Sequence, residues 1–270
     1  MLAAAMAQHG KVVLPVYFDP GGRLILPPAS VAATAFGHTH IEQDVDGITR
    51  EVVHTIRYRD EVVPSFASAI FDMLPGKKLS REESLSKEGS DRSPAFFVQA
   101  DPMIINYYGP GESIRYISFL EILEGRWPED FFKGKVVLVG LTAAGVAGEL
   151  LPPFTDAGTR MPGVEVHAHI LNNLLDGTHY RRLETPWIWL ALGALVCLVF
   201  PLGARRTPVQ MGIVWLFSVL GVSAFVYLAL VLFNVWIVPG PFYALVTATL
   251  ASMYVMTLHD MRACLLQSQK

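Results

Sequence analysis

Cysteine is nearly missing from this chain of 270 residues, which has two, Cys197 within an apolar run and Cys264 near the end. The polar stretch before Cys197 therefore offers no disulfide, no cysteine metal site and no thiol nucleophile. Charge is also scarce, at 17% Asp, Glu, Lys and Arg, against about 25% in an average soluble chain. The formal net charge of −3 is unclustered and forms no basic stripe, so no nucleic-acid partner is expected. Catalytic signatures are absent too. The glycine-rich stretch Gly140-Leu141-Thr142-Ala143-Ala144-Gly145-Val146-Ala147-Gly148 fits neither G-x-G-x-x-G nor the P-loop, and no Lys-Ser/Thr follows it. No Ser/His/Asp arrangement is visible, and Asp44 with Asp46 reads as turn chemistry rather than a catalytic pair. The chain is read as a non-enzyme with no cofactor.

The missing charge has a location. From about Trp187 onward the sequence is almost charge-free and divides into three apolar runs, 186–204, 209–233 and 237–258, behind a polar domain over 1–182. Thr185 before Pro186 is an N-cap followed by proline at the first helical position. Trp187 and Trp189 lie where interfacial aromatics are expected. Three such runs in tandem predict three membrane helices. Arg205 and Arg206 in the first connection, with Arg262 and Lys270 in the tail, outweigh Arg181 and Arg182 and place residues 259–270 in the cytoplasm. The polar domain is then extracytoplasmic and the chain a multi-pass protein of the inner (plasma) membrane. The stretch Met1 to Gly10 has no basic region and too short an apolar core for a signal peptide. It reads as the last turns of a helix closed by Gly10. An exported domain needs a signal or an upstream span, so either the domain is cytoplasmic or the sequence begins partway through a longer protein, and the second is expected. Leu258, Met261 and Leu265 keep helical spacing beyond the third run, as a juxtamembrane or signalling helix would.

Within the polar domain, Lys11 to Phe18 predicts a buried strand, and Asp44-Val45-Asp46-Gly47 a turn. Ile48 to Tyr58 mixes polar and β-prone residues and reads as a hairpin arm exposed on one face. Ser65 to Met73 predicts a short helix, and Lys77 to Asp91 a charged surface loop. Ile104 to Tyr108 is strand-like, and Ser118-Phe119-Leu120-Glu121 is a capping box opening a helix that ends by Gly125. Lys135-Val136-Val137-Leu138-Val139-Gly140 predicts a central parallel strand. Gly163 to Leu175 predicts an amphipathic helix with Val164, Ile170, Leu171, Leu174 and Leu175 on its apolar face, ended by Asp176-Gly177. Strand and helix in alternation predict an α/β domain with a mixed, mainly parallel sheet.

Two His-x-His pairs are candidates for chemistry. His38 and His40 would share one face of a strand and are the candidate metal ligands, although no metal site is expected. His167 and His169 lie two apart on a helix and diverge by about 200°. The glycine-rich loop follows a predicted strand, where ligands bind in open α/β sheets.

Gly134 to Gly140, the Gly/Ala loop, Pro152-Pro153-Phe154 and Pro162-Gly163-Val164-Glu165-Val166-His167-Ala168-His169-Ile170 occur in an order that resembles the second type of CHASE sensory domain. Asp44 to Arg50, Tyr108-Gly109-Pro110 and Tyr116-Ile117-Ser118 extend the resemblance, which covers about Leu2 to Leu258. It implies an extracytoplasmic sensor followed by three membrane helices and incomplete at its N-terminus, since the family's domain begins with a membrane helix and further strands. It also implies a cytoplasmic output, such as a histidine kinase or nucleotide cyclase, that this chain lacks. Where the family tends to carry aspartate after the glycine loop, this chain has Glu149. A ligand or conformational pocket is expected at Gly140, Thr142, Gly145, Glu149, Glu165 and His167. The expected partners are the lipid bilayer, an unknown extracytoplasmic ligand and a second copy joined through the membrane helices. The competing readings are a membrane-tethered hydrolase using the His-x-His pairs and a subunit of a transport assembly. The near absence of ionisable groups in the spans argues against transport.

Overall fold

Aspartates and a glycine set a tight turn ahead of the longest strand of the polar unit. In a computed structural model of the chain, Gly47 takes a positive φ of 78°, and its N–H donates to the Asp44 carbonyl at 2.8 Å. Arg50 spans both carboxylates of the turn, at 2.5 Å from Asp44 and 2.9 Å from Asp46. The aspartates are thus turn chemistry, as the sequence predicts. The structure describes residues 2–59, 61–79, 98–143, 148–154, 160–182, 185–203 and 207–268. The chain divides into two compact units, Met1–His179 and Tyr180–Lys270.

In the first unit, helix α1 (Leu2–His9) closes where the Gly10 N–H donates to the Met6 carbonyl at 3.1 Å. Strand β1 (Val13–Phe18) pairs antiparallel with β2 (Leu24–Ile25) and parallel with β3 (Ala35–His38). A second sheet places β4 (Glu51–Tyr58) between β5 (Glu61–Pro64) and β6 (Val98–Ile104), antiparallel to both. The mainly parallel sheet is therefore corrected. Tyr58 and Glu61 are register partners across a two-residue turn, and so tight a connection can join only antiparallel strands.

Strand β4 is also not half-exposed: Val52 to Ile56 are buried in succession. Its central place explains this, since Val52 joins the main core while Val53 and Ile56 pack with Phe18. Conversely, β1 buries Val16 alone. Helix α2 (Phe66–Asp72) starts at Ser65, whose side chain accepts from the Ser68 N–H at 3.2 Å. Helix α3 (Phe119–Leu123) starts at Ser118 without the expected capping box, because the Glu121 carboxylate accepts instead from the Trp127 indole N–H at 3.1 Å. The chain between Asp130 and Gly140 forms no strand. Among the described residues nothing pairs with 135–140; Leu138 tucks against the core while Val136, Val137 and Val139 are exposed. β-propensity expresses itself only where cross-strand neighbours exist. The predicted loop 77–91 lies largely outside the described residues.

Two short strands, β7 (Glu149–Leu150) and β8 (Met161–Pro162), pair and lead into helix α4 (Gly163–Asp176), which ends at Gly177 with φ 65°. Val166, Ile170, Leu171 and Leu174 of α4 meet Ala67, Ile70 and Phe71 of α2 and Met103, Ile105 and Tyr107 in the main core.

The second unit opens with β9 (Arg181–Arg182), followed by the helices α5 (Thr185–Gly203) and α6 (Pro208–Phe233). Strand β10 (Val235–Trp236) pairs with β9, and helix α7 spans Gly240–Ser268. The residues just before the third apolar run thus form a strand, and its helix starts after Pro239, whose carbonyl accepts from the Phe242 and Tyr243 N–H groups at 3.1 and 3.2 Å. Thr207 and Gln210 form a reciprocal capping box for α6, at 3.4 and 3.2 Å. Between α6 and α7, the Trp215 indole donates to Thr247 at 3.1 Å and Ser223 meets the Tyr243 hydroxyl at 2.8 Å.

Among the described residues, two helices are long and apolar enough to cross a membrane, Pro208–Phe233 and Gly240–His259. The run Pro186–Leu202 is apolar but shorter, so two of the three expected spans meet the criterion. In the most apolar stretch of α6 only 11% of residues are buried, unlike the core helix of a soluble protein.

Candidate functional site

Helix α4 organises the polar unit around three polar side chains spaced by two. Glu165 and His169 are four apart and share a face, while His167 lies on the opposite side, as helical geometry requires. All three are buried, at 2, 0 and 7% exposure respectively.

Glu165 holds the loop after β6. Its carboxylate accepts from the Glu112 N–H at 3.1 Å, the Ile114 N–H at 3.4 Å and the Tyr116 hydroxyl at 2.8 Å. Glu112 takes a positive φ of 68°, a conformation few non-glycine residues adopt. Burial, aided by the Glu165 carboxylate, pushes the Tyr116 hydroxyl well above its ordinary pKa. His169 reaches the same loop. Its Nδ1 accepts from the Tyr108 N–H at 3.4 Å, its Nε2 meets Ser113 Oγ at 3.4 Å, and its ring stacks on Tyr108. Burial lowers the His169 pKa, and the Glu165 charge partly opposes that shift.

An amide pair fastens the loop's beginning. The Asn106 N–H donates to Asn173 Oδ1 at 2.7 Å, and Asn173 Nδ2 donates to the Asn106 carbonyl at 2.8 Å. The loop 106–116 is thus tied to α4 at Asn173, His169 and Glu165 in turn.

The opposite side of α4 meets a different group. The His167 ring packs edge-on against Phe66 with centroids 5.5 Å apart. Burial depresses its pKa to about 4. His38, fully buried at the end of β3, is held well below its ordinary pKa by burial, and then by the neighbouring His40, His167 and His54. His38 and His40 do not share a strand face, since β3 ends at His38. The His40 side chain is 29% exposed and lies 3.6 Å from the Glu42 carboxylate. Among the described residues no group of three or more His, Cys, Asp or Glu side chains is arranged to hold a metal ion.

The predicted pocket residues separate. A Cβ at Gly140 would come within 2.6 Å of the Val164 side chain, so this glycine serves close packing on the first turn of α4. The far end of the glycine-rich loop is stitched to the same turn, with the Gly163 N–H donating to the Gly148 carbonyl at 2.9 Å. Glu149 is half-buried in β7 opposite Pro162, Thr142 is exposed, and Gly145 lies outside the described residues. Gly140 and Glu149 therefore gather at the start of α4, while Glu165 and His167 act on opposite sides of it. Sequence reasoning missed His54, Asn106, Asn173 and Tyr116. A histidine amid the aliphatic run Val52 to Ile56 is a legible anomaly; the asparagine pair, 67 residues apart, carries no local signal.

No curated protein and no solved structure matches the chain. Residues 1–204 match the model of the CHASE2 domain, which covers the polar unit and runs on through α5. With a match over most of its length, the chain belongs to the CHASE2 domain family, whose module is an extracytoplasmic sensor of signalling receptors.

Proposed function

We propose that this chain is the sensory input and membrane-anchor portion of a bacterial transmembrane signal-transduction receptor. The observation that carries the reading is the CHASE2 match over a polar unit followed at once by charge-poor helices. On this reading α5, α6 and α7 all cross the inner membrane, with residues 1–182 outside and the tail inside. A second copy packs through the helices, and α7, continuing as helix to Ser268, leads toward a cytoplasmic kinase or cyclase module. The stimulus acts on the region around α4, through Gly140 and Glu149 at its start and Glu165 and His167 on its opposite sides. A ligand or condition that favours one arrangement of loop and helix shifts the population between two states.

Topology tests the reading. In a background with Cys197 and Cys264 replaced by serine, Lys11→Cys should react with a membrane-impermeant maleimide on intact spheroplasts, and Arg262→Cys only after lysis. The reverse pattern would sink the proposal.

A further inference from the structure

Three histidines from three separate elements converge in the polar unit. His38 ends β3, His54 lies in the middle of β4 and His167 in α4, and they are 0, 6 and 7% exposed. Neither ring nitrogen of His38 has a hydrogen-bond partner, nor does Nδ1 of His167. His54 Nδ1 meets Ser68 Oγ at 2.9 Å, and Ser68 Oγ in turn accepts from Ser65 Oγ at 2.7 Å. Ser65 forms a parallel bridge with His38, and the backbone is so close there that a Cβ on Gly37 would lie 2.5 Å from Phe66 Cα. Ser65 is also the N-cap of α2. The cluster is therefore the junction where β3, β4, α2 and α4 meet.

Among the described residues, no carboxylate acts on either His38 or His167. The ionisable groups that act on His38 are His40, His167 and His54. From β1 its register partner is Val16; from α2 come Phe66 and Ser68. Of the acidic residues of α4, Glu165 is engaged by the loop 112–116 and Asp176 accepts from the Tyr108 hydroxyl; Asp72 of α2 accepts from the Leu79 N–H, Glu51 opens β4 three residues before His54, and Glu42 stands at the exposed rim beside His40. No buried carboxylate among the described residues pairs with His38 or His167, so an imidazolium there would be unpaired and desolvated.

We propose that His38 and His167, beside His54, form a proton-binding site, by which acidification of the compartment outside the membrane opens the junction of β3, α2 and α4. This inference deepens the receptor reading and rests on it for the compartment; it names the proton as the stimulus. Burial depresses the closed-state pKa of His38 and takes that of His167 to about 4, whereas an opened histidine titrates near 6.5. Between those values the open state binds more protons than the closed one, so falling pH favours opening. Each histidine released contributes up to tenfold per pH unit to the opening constant.

The test uses the full chain in lipid nanodiscs. Amide hydrogen exchange by mass spectrometry, corrected for its intrinsic pH dependence, gives the opening constant for peptides in β3, β4 and α4. Between pH 6.5 and 5, above the ordinary carboxylate range, opening should rise more than tenfold per pH unit in the parent chain. His38→Leu, which also removes two unsatisfied nitrogens, should fold at neutral pH and lower that slope by about one decade. Equal slopes in parent and variant, or a parent slope of zero, would overturn the proposal. A second measurement covers a variant that fails to fold. NMR of histidine-labelled parent chain should show the His38 and His167 rings neutral until the transition; these two rings titrating near 6.5 without any change in exchange would overturn it equally. The maleimide experiment fails separately. Proton-linked opening with the polar unit found inside the cell would remove the receptor reading and leave the site.

Discussion

The Glu165 carboxylate offers the most direct way to separate a working latch from passive packing. It receives two short hydrogen bonds on one oxygen, from the Glu112 N–H and the Tyr116 hydroxyl, and a longer one on the other, from Ile114. Glu165→Gln can keep its carbonyl oxygen toward the two short donors but turns an NH2 group toward the Ile114 N–H. Two charge-assisted bonds become neutral ones and the third is lost, a cost of about 1–2 kcal/mol. Glu165→Ala removes every acceptor and should cost about 3 kcal/mol, moderated because Tyr116 can turn to water. Since two units and a membrane make global unfolding ill-defined, the readout should be local: amide exchange of residues 110–116 in the full chain. About tenfold faster exchange is expected for Glu165→Gln, because each 1.4 kcal/mol is a factor of ten, and about a hundredfold for Glu165→Ala. Tyr116→Phe alone should give a smaller change, and the double variant Glu165→Gln/Tyr116→Phe should be less than additive, as residues sharing a bond are. Exchange within twofold of the parent in both Glu165 variants would refute the latch.

Further predictions follow from close packing and buried amides. Gly140→Ala drives a methyl into Val164 and should destabilise the first turn of α4 by about 1–3 kcal/mol; adding Val164→Ala should recover most of the lost exchange protection, and failure to do so would show that the glycine is needed for something other than space. Asn173→Asp replaces the donor to the Asn106 carbonyl with a second oxygen, leaving a carbonyl unpaired at a cost of about 1–3 kcal/mol. The expected result is lower thermal resistance to proteolysis at the 104–116 segment, and an unchanged profile would mean that the amide pair contributes nothing.

Local chemistry was legible wherever one residue type has one physical use. Gly177 ends α4 because a left-handed residue is needed there; Gly10 ends α1 and Gly47 completes the Asp44 turn on the same grounds. Apolar periodicity located α4 and most of its core face, although Val166 rather than Val164 joins the core, and Ser65 marked the start of α2. What failed was pairing. The aliphatic run Lys135 to Gly140 has the composition of a central strand, yet no strand lies beside it among the described residues. Ile48 to Tyr58 has the mixed composition of a hairpin arm exposed on one face, yet β4 is central and buried. Composition records a residue's tolerance for burial; which neighbour arrives is a long-range event it does not record. The connection ahead of the third apolar run shows the same limit, because Val235 and Trp236 pair with Arg181 and Arg182 more than fifty residues earlier.

The sequence by itself determined the division into a polar unit and a charge-poor helical one, the family, and the local starts and stops of helices. These depend on composition, motif order and short-range hydrogen bonding, all contained within a few residues. The tertiary structure alone decided that Glu165 and His167 work on opposite sides of α4, that Gly140 is a packing glycine, and that His38, His54 and His167 share one buried junction. Those facts depend on β3, β4 and α4 being brought together across 129 residues of chain, and a solitary histidine carries no mark of the two others it will meet.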